Sequence, residues 1–109
     1  MTSPLVYIAM PFRAGRYSER ENIARANEVG RWYAAKGYAV VVPHSMSPLL
    51  DPHNRLGDDY WLRLTMEVME RCDIVVCGPG WEESAGALAE RERAEALGLE
   101  VWEMEEVPV

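Results

Sequence analysis

Glu90 is the residue whose position in the chain most clearly suggests chemistry. It lies in the segment SAGALAERERAEALG (84–98), where it shares one predicted helical face with three small or apolar residues. These are Ala87, Ala94 and Leu97, and the four follow one another at spacings of three, four and three. Because burying an unpaired carboxylate costs several kcal/mol or more, the pattern predicts that Glu90 is paired, protonated or used in a reaction. The structural alternative is a helix edge, where Glu90 reaches water or pairs with Arg13 or Arg93.

Other polar residues follow the ends of predicted strands. Ser84 and Gly86 stand at the start of the helix that carries Glu90, where free N–H groups and the helix dipole favour an anion. Arg13, after the first strand, is placed to close on the same anion. Each has an ordinary structural alternative: a helix N-cap for Ser84 and a solvated loop for Arg13. His44 has one too, as a structural hydrogen-bonding residue.

Aromatic residues and Arg16 are further candidates for the same cleft. Arg16 follows the first strand in the segment that carries Arg13, and it too is a cleft or a loop residue. Trp61 and Trp81 are able to stack on a base, or equally to cap the core or an interface. Tyr7 belongs to the core unless its hydroxyl reaches the cleft.

The elements that must position these residues alternate between strands and helices. Apolar runs predict four strands: 5–9, 39–42, 74–77 and 99–102. Helical spacing predicts three helices, the first from a capping box at Ser18 and Glu21 to Gly37, the others over 59–71 and 85–97. Asp58 or Asp59 is the expected N-cap of the second helix. Residues 45–57, which contain Pro48, Pro52 and Gly57, are predicted to form a loop.

This alternation predicts an α/β fold. Strands without polar alternation indicate a parallel sheet with helices on both faces. Right-handed crossovers then give a small doubly wound, flavodoxin- or Rossmann-like sheet of about four strands ordered 2-1-3-4, in one domain spanning 1–109. In such sheets ligands bind at the carboxyl ends of the strands, so segments 10–16, 43–47 and 78–86 are expected to meet at one cleft.

Composition narrows the classes of function. Eleven basic and 18 acidic residues give a net charge of −7, which disfavours a nucleic-acid partner. Cys72 and Cys77 fit neither a zinc pair nor a redox CxxC, so both are expected to be small buried residues of a reduced protein. No leader or apolar run of membrane length is evident, and we expect a cytoplasmic protein without a membrane partner. No ligand-spaced metal cluster or nucleotide-cofactor fingerprint is present, and we expect neither metal nor cofactor.

Three blocks together resemble the nucleoside 2-deoxyribosyltransferase superfamily. They are YIAMPFRAGR (7–16), RCDIVVCGPGWEES (71–84) and GALAERERAEALG (86–98), and they span nearly the whole chain. Their order and spacing are similar to those of its deoxynucleoside 5′-monophosphate N-glycosidase branch and its small uncharacterised relatives.

The resemblance implies a catalytic pair. Glu90 would be the nucleophile that attacks the anomeric carbon of a 2-deoxyribosyl group, forming a glycosyl-enzyme intermediate that water or a second base resolves. Tyr7 would orient Glu90. A half-buried carboxylate suits this role, because it must ionise to attack and yet stabilise an oxocarbenium-like centre.

The resemblance also implies a small-molecule nucleotide substrate. The transferases have an acidic residue at the position of Ser84, whereas the monophosphate branch has Ser, which donates to a phosphate instead of repelling it. Arg13 and the N–H of Gly86 match the same branch. The implied reaction is hydrolysis of the N-glycosidic bond of a (deoxy)nucleoside 5′-monophosphate. The remaining residues implied to bind substrate are Pro11, Phe12, His44, Asp58 and Thr65.

Departures from the family pattern leave other functions open. Thr65 replaces the usual Asp that contacts the base, although Asp58, seven residues earlier on the same helical face, is able to substitute. Met10 replaces the usual Gly after the first strand and would crowd the sugar pocket. The alternatives are a catalytically degenerate nucleotide- or metabolite-binding module, 2-deoxyribosyl transfer between bases, and a purely structural interaction protein.

Apolar composition predicts a homo-oligomer, most simply a dimer, with the active site near the interface. Four Trp and six Met exceed the evident needs of so small a core, and Trp61, Met66 and Met69 lie near one another on the second long helix. Members of the resembled family pair through helices that flank their active sites. The alternative is that these side chains fill the core.

Overall fold

A parallel sheet of four strands organises the chain, in the order β2-β1-β3-β4. The computed structural model describes residues 3–108, so residues 1, 2 and 109 of the predicted domain lie outside the described residues. The strands are β1 (Leu5–Ala9), β2 (Ala39–Val41), β3 (Ile74–Cys77) and β4 (Glu100–Glu103). Tyr7 of the central strand β1 pairs with Val41 on one side and Val75 on the other. The predicted strand order and parallel sheet are confirmed.

Helices cover both faces of this sheet. They are α1 (Glu19–Ala35), α2 (Ser47–Leu50), α3 (Asp58–Met69) and α4 (Ala85–Ala96), with 3-10 turns at Pro43–Ser45 and Trp81–Glu83. Alternate residues of β1 face opposite layers: Val6 and Ile8 pack with α1, whereas Tyr7 and Ala9 pack with α3 and α4. The doubly wound architecture is therefore confirmed, and it places the start of α4 beside the carboxyl end of β1.

The first helix begins as predicted. The hydroxyl of Ser18 accepts a hydrogen bond from the N–H of Glu21, and the Glu21 carboxylate accepts from the N–H of Ser18. After the helix ends, Gly37 adopts a φ of +95°, a conformation that favours glycine. The β1–α1 loop is thus followed by a firmly capped helix.

Two local predictions were wrong. Residues 45–57 are not all loop, because Pro48 occupies the first turn of the short helix α2. The N-cap of α3 is Gly57 (φ +90°), and neither Asp58 nor Asp59 occupies that position. The Asp58 carboxylate instead accepts hydrogen bonds from side chains on neighbouring loops, which takes it away from the helix end.

The residues predicted to form an interface are divided between core and surface. Met69 is fully buried, and Met66 packs against the same cluster, so these two fill the core as the alternative proposed. Trp61 is half-buried, and its indole N–H donates to the Asp51 carboxylate at 2.9 Å. Cys72 and Cys77 are buried free thiols, as expected. No helix of the described chain is long and apolar enough to cross a bilayer.

Candidate active site

A cleft of about 510 Å³ opens at the carboxyl end of the sheet, where the topology predicted a ligand site. The loops after β1 and β2 and the first turns of α3 and α4 form its wall. Most of the predicted site residues line it: Phe12, Arg13, His44, Asp58, Thr65, Ser84, Gly86 and Glu90. Tyr7 is fully buried in β1 and meets the cleft through its contact with Glu90.

Glu90 lies on the packed side of α4, with 7% of its surface exposed. It accepts a hydrogen bond from the hydroxyl of Tyr7, a residue 83 positions away in the sequence. Arg13 and Arg93, the alternative partners considered from the sequence, pair with carboxylates elsewhere. The helix-edge alternative is therefore wrong, and Glu90 is a buried carboxylate with a buried donor.

Burial controls the protonation of this pair. Loss of hydration raises the pKa of Glu90 from 4.5 to about 7, and the hydrogen bond from Tyr7 opposes that rise. Burial and the neighbouring Glu90 charge raise the pKa of Tyr7 well above 10, while the nearby hydroxyl of Thr65 acts in the opposite direction. Tyr7 consequently stays a donor at neutral pH, and Glu90 titrates near neutrality. These are the properties of a carboxylate that must ionise inside a partly dry site.

The N-terminus of α4 forms one wall of the cleft. Ser84 is 6% exposed, and its Oγ accepts a hydrogen bond of 3.2 Å from the N–H of Ala87, which makes it the helix N-cap. The structural role considered for Ser84 is thus present, and its hydroxyl proton remains available to a ligand. The N–H groups of Ala85 and Gly86 precede the first intrahelical bond, so they also favour an anion here.

The facing wall belongs to α3. Asp58 and Thr65 both line the cleft, as their seven-residue spacing predicted. The Thr65 hydroxyl donates to backbone carbonyls of its own helix at 2.8 and 3.1 Å. Asp58 accepts from Arg13 Nη1 at 2.5 Å and from Asn54 Nδ2 at 2.8 Å, and these contacts lower the pKa of its carboxyl group. Asp58 therefore stays ionised, opposite the N-terminus of α4.

Two buried polar side chains hold the loop that carries Phe12 and Arg13. His44 is 5% exposed, and its ring meets the Phe12 ring edge-on at 5.8 Å between centroids. Asn22, 3% exposed, lies below the loop and was missed by the sequence analysis. A signal was available, because Asn22 shares the buried stripe of α1 with Ala26 and Val29, just as Glu90 shares its own stripe.

Three candidate residues lie outside this cleft. Pro11, Arg16 and Trp81 line a second cleft on the other side of the β1–α1 loop. The Arg91 guanidinium stacks over the Trp81 ring at 4.4 Å, so the indole is already covered on one face. Trp61, by contrast, lines the first cleft and remains a candidate for stacking on a base.

Met10 fits against Gly78 and does not fill the cleft. Its side chain is 4% exposed, and a Cβ placed on Gly78 would lie 2.4 Å from both its Cγ and its Sδ. The missing side chain at the end of β3 thus gives Met10 its space. Met10 also contributes to the cleft wall.

Comparisons with known proteins give the chain a family and a fold relative. A family model described as a domain of unknown function (DUF7768) matches residues 4–104. The chain belongs to this family. No curated protein matches the sequence.

Among solved structures, this DUF7768 member is similar to a 2-desoxiribosyltransferase from Leishmania mexicana, with a TM-score of 0.65 and 20% sequence identity. The match covers 93% of this chain and 63% of the transferase chain. The chain therefore shares the fold of this transferase, and it corresponds to under two thirds of the transferase chain.

Carboxylates outnumber cationic side chains in the cleft of this DUF7768 domain. Arg13 is the one Lys or Arg side chain among the described residues that line it. The acidic lining residues are Glu19, Asp51, Asp58, Asp59 and Glu90. Among residues 3–108 there is no group of three or more His, Cys, Asp or Glu side chains arranged to hold a metal ion. Any anionic ligand must thus rely on the N-terminus of α4 and on Arg13.

Proposed function

We propose that this protein hydrolyses the N-glycosidic bond of a (deoxy)nucleoside 5′-monophosphate, with Glu90 as the nucleophile. The buried Tyr7–Glu90 pair at the wall of a 510 Å³ cleft is the observation that carries the proposal. A carboxylate kept out of water without an ion pair is costly for stability, and such groups are typical of catalytic sites.

The reaction proceeds in two displacements. Ionised Glu90 attacks the anomeric carbon, so that a C–O bond to the carboxylate forms while the C–N bond to the base breaks and the leaving base takes up a proton from solvent. Water then attacks the same carbon and loses a proton to solvent, which breaks the C–O bond to Glu90, releases the sugar phosphate and regenerates the carboxylate. The hydrogen bond from Tyr7 keeps the attacking carboxylate oriented and lowers its pKa towards the ionised form.

The N-terminus of α4 supports the choice of a phosphorylated substrate. The Ser84 hydroxyl and the N–H of Gly86 are donors on the cleft wall, six and four residues before Glu90. Arg13 adds a cation on the facing loop. These groups suit a 5′-phosphate bound at one end of a sugar whose anomeric carbon reaches Glu90.

The acidic lining favours a second candidate, in which the substrate is an unphosphorylated nucleoside and the sugar passes to a second base. Arg13 is already paired with Asp58 and Glu19, so a phosphate must compete with two carboxylates for it. A neutral 5′-hydroxyl does not need Arg13 and can bind without displacing either carboxylate. The similarity of fold to a transferase agrees with this candidate, and a binding module without turnover is the remaining alternative.

The deciding experiment is a base-release assay over a panel of nucleosides and their 5′-monophosphates, with products separated by chromatography. We expect base release from a monophosphate, and a loss of at least ~10²-fold in Glu90→Ala. Glu92→Ala, an exposed carboxylate on the same helix, is the matched control and should retain full activity. Release from nucleosides alone would support the second candidate, while saturable binding in calorimetry without product would support the binding module.

We propose that the protein acts in the cytoplasm. Both cysteines are buried free thiols, which suits a reducing compartment. Fractionation of the native host should recover the protein with cytosolic markers.

A further inference from the structure

The loop between β1 and α1 carries Phe12 and Arg13 into the cleft without regular secondary structure of its own. It is also the partition between the two clefts, since Ala14 lines both. A loop of this kind keeps its side chains in place only if its carbonyl groups find donors. Two side chains from outside the loop supply those donors.

Asn22 acts from below the loop. Its Nδ2 donates to the carbonyl of Phe12 at 2.9 Å and to that of Ala14 at 3.2 Å, with a third, longer contact of 3.4 Å to Tyr17 O. The two hydrogens of the amide group are thus directed at carbonyls on either side of Arg13. Asn22 lines the second cleft and does not line the first, so it has no place in direct contact with a substrate there.

His44 acts from the β2 side. Its Nε2 lies 3.1 Å from Met10 O and 2.9 Å from Pro11 O, and because both partners are acceptors Nε2 must carry the hydrogen. The other nitrogen, Nδ1, is buried and has no hydrogen-bond partner among residues 3–108. Burial also lowers the pKa of His44, so the ring is neutral at pH 7.

We infer that Asn22 and His44 are positioning residues that fix four backbone carbonyls, of residues 10, 11, 12 and 14, and thereby set the place of Phe12 and Arg13 in the cleft. Removing either donor leaves two of these carbonyls without their side-chain partner, and the loop loses the contacts that hold it. The catalytic consequence of this inference rests on the proposed function, whereas its structural part does not.

The kinetic test is a double-mutant cycle between Asn22 and Arg13. Asn22→Ala should raise KM for the monophosphate by about tenfold with a smaller change in kcat, because Arg13 binds ground state and transition state alike. In an Arg13→Ala background the same substitution should change KM little further. Arg20→Ala, exposed on the same helix, is the control. An effect of Asn22→Ala that is fully additive with Arg13→Ala, or confined to kcat, would overturn the positioning role.

A second test needs no substrate. Native-state trypsin digestion followed by mass spectrometry measures cleavage after Arg13 and Arg16, which are both exposed in the loop. We expect faster cleavage in Asn22→Ala and in His44→Leu, and rates near wild type in His44→Gln, whose amide N–H replaces Nε2–H. Unchanged cleavage in both Asn22→Ala and His44→Leu would refute the inference.

These outcomes separate the inference from the proposed function. If wild type releases no base from any nucleotide, the proposed function fails while the digestion still decides whether the loop is held. If Asn22→Ala does not fold, the comparison of His44→Gln with His44→Leu decides it, since the glutamine variant keeps the donor and the leucine variant removes it.

Discussion

The carboxylate of Asp58 lies 2.5 Å from Nη1 of Arg13, so the cation predicted to bind a phosphate already has a partner at the start of α3. Glu19 lies 3.6 Å from Nε of the same guanidinium. The side chains of Arg13 and Glu19 are nearly half exposed and that of Asp58 is mostly exposed, so the pairing adds little to stability. The pairing affects ligand binding instead, because a phosphate must displace a carboxylate before it can accept hydrogen bonds from the N–H groups of Arg13.

Asp58→Asn should therefore improve binding of a 5′-monophosphate. Removing the competing charge frees Arg13, and we expect KM for the monophosphate to fall several-fold, to about a fifth, with little change for the nucleoside. Asp59→Asn is the matched control, since Asp59 lines the same cleft and is not paired with Arg13. A rise in KM for both substrates would instead assign Asp58 to base recognition.

Glu90 should make stability depend on pH. Between pH 4.5 and about 7 the folded protein holds a proton on Glu90 that the unfolded chain has lost, so the free energy of unfolding falls as pH rises. Chemical denaturation of wild type and Glu90→Gln should show this. From about pH 4 to about pH 8, the free energy of unfolding of wild type should fall by about 3 kcal/mol relative to that of Glu90→Gln. The opposite dependence from His44 is common to both proteins and cancels. Parallel curves would contradict a buried, titrating Glu90.

Tyr7→Phe should move the pH dependence of activity. Ionised Glu90 is the reactive form, so kcat/KM should rise with pH through the pKa of Glu90, about 7 in the free protein. The hydrogen bond from Tyr7 lowers that pKa, and its loss should shift the rising limb upward by roughly one pH unit. A pH–rate profile for both proteins measures the shift. A uniform loss of rate with an unmoved limb would leave Tyr7 with an orienting role only.

Gly78→Ala tests the fit between Gly78 and Met10. The new Cβ would lie 2.4 Å from Met10 Cγ, so we expect a loss of roughly 1–3 kcal/mol in the free energy of unfolding. Met10→Ala removes the obstructing atoms, and in that background Gly78→Ala should cost much less. Urea denaturation of wild type, the two single variants and the double variant gives the coupling free energy between the two positions. Additive losses would show that Met10 is not the neighbour that requires glycine.

We propose that the protein forms a homodimer beside the cleft, through leucines exposed on and near α2 and α3. Leu49, Leu50 and Leu56 are 80%, 69% and 56% exposed, and Leu62 is 37% exposed. All four lie within residues 49–62, and an exposed apolar patch is typical of an interaction surface. Light scattering should give twice the monomer mass for wild type and the monomer mass for Leu50→Glu. Leu97→Glu, on the far end of α4, is the control, and a monomeric wild type would rule the dimer out.

Periodicity predicted the layers of strands and helices and the packed position of Glu90, because both depend on the spacing of residues along the chain. The apolar runs and the capping box at Ser18 specify their elements locally, and a carboxylate within an apolar stripe is visible without coordinates. The partner of Glu90 was suggested by family resemblance alone, since no spacing rule connects Tyr7 to a residue 83 positions away.

The wrong N-cap prediction concerns a side chain that has more than one possible set of partners. Asp58 is a good N-cap by residue type, but its carboxylate accepts hydrogen bonds from Arg13 and Asn54 and does not cap the helix. Pro11 and Arg16 come from the same loop as Arg13, yet the turn of that loop sends them to the other cleft. Which side of a loop a residue faces depends on contacts such as those of Asn22, which only the folded chain forms.

The position of β1 in the sheet has a consequence for how the chain acquires its structure. This strand is central in the sheet, yet its partners β2 and β3 lie about 34 and 68 residues further along the chain. During synthesis its fully buried residues remain without a second neighbour until β3 has left the ribosome. Tyr7 waits longer still, because Glu90 lies on α4, which follows β3 in the chain. Nascent fragments that end before β3 therefore present an apolar strand with one edge unpaired to chaperones.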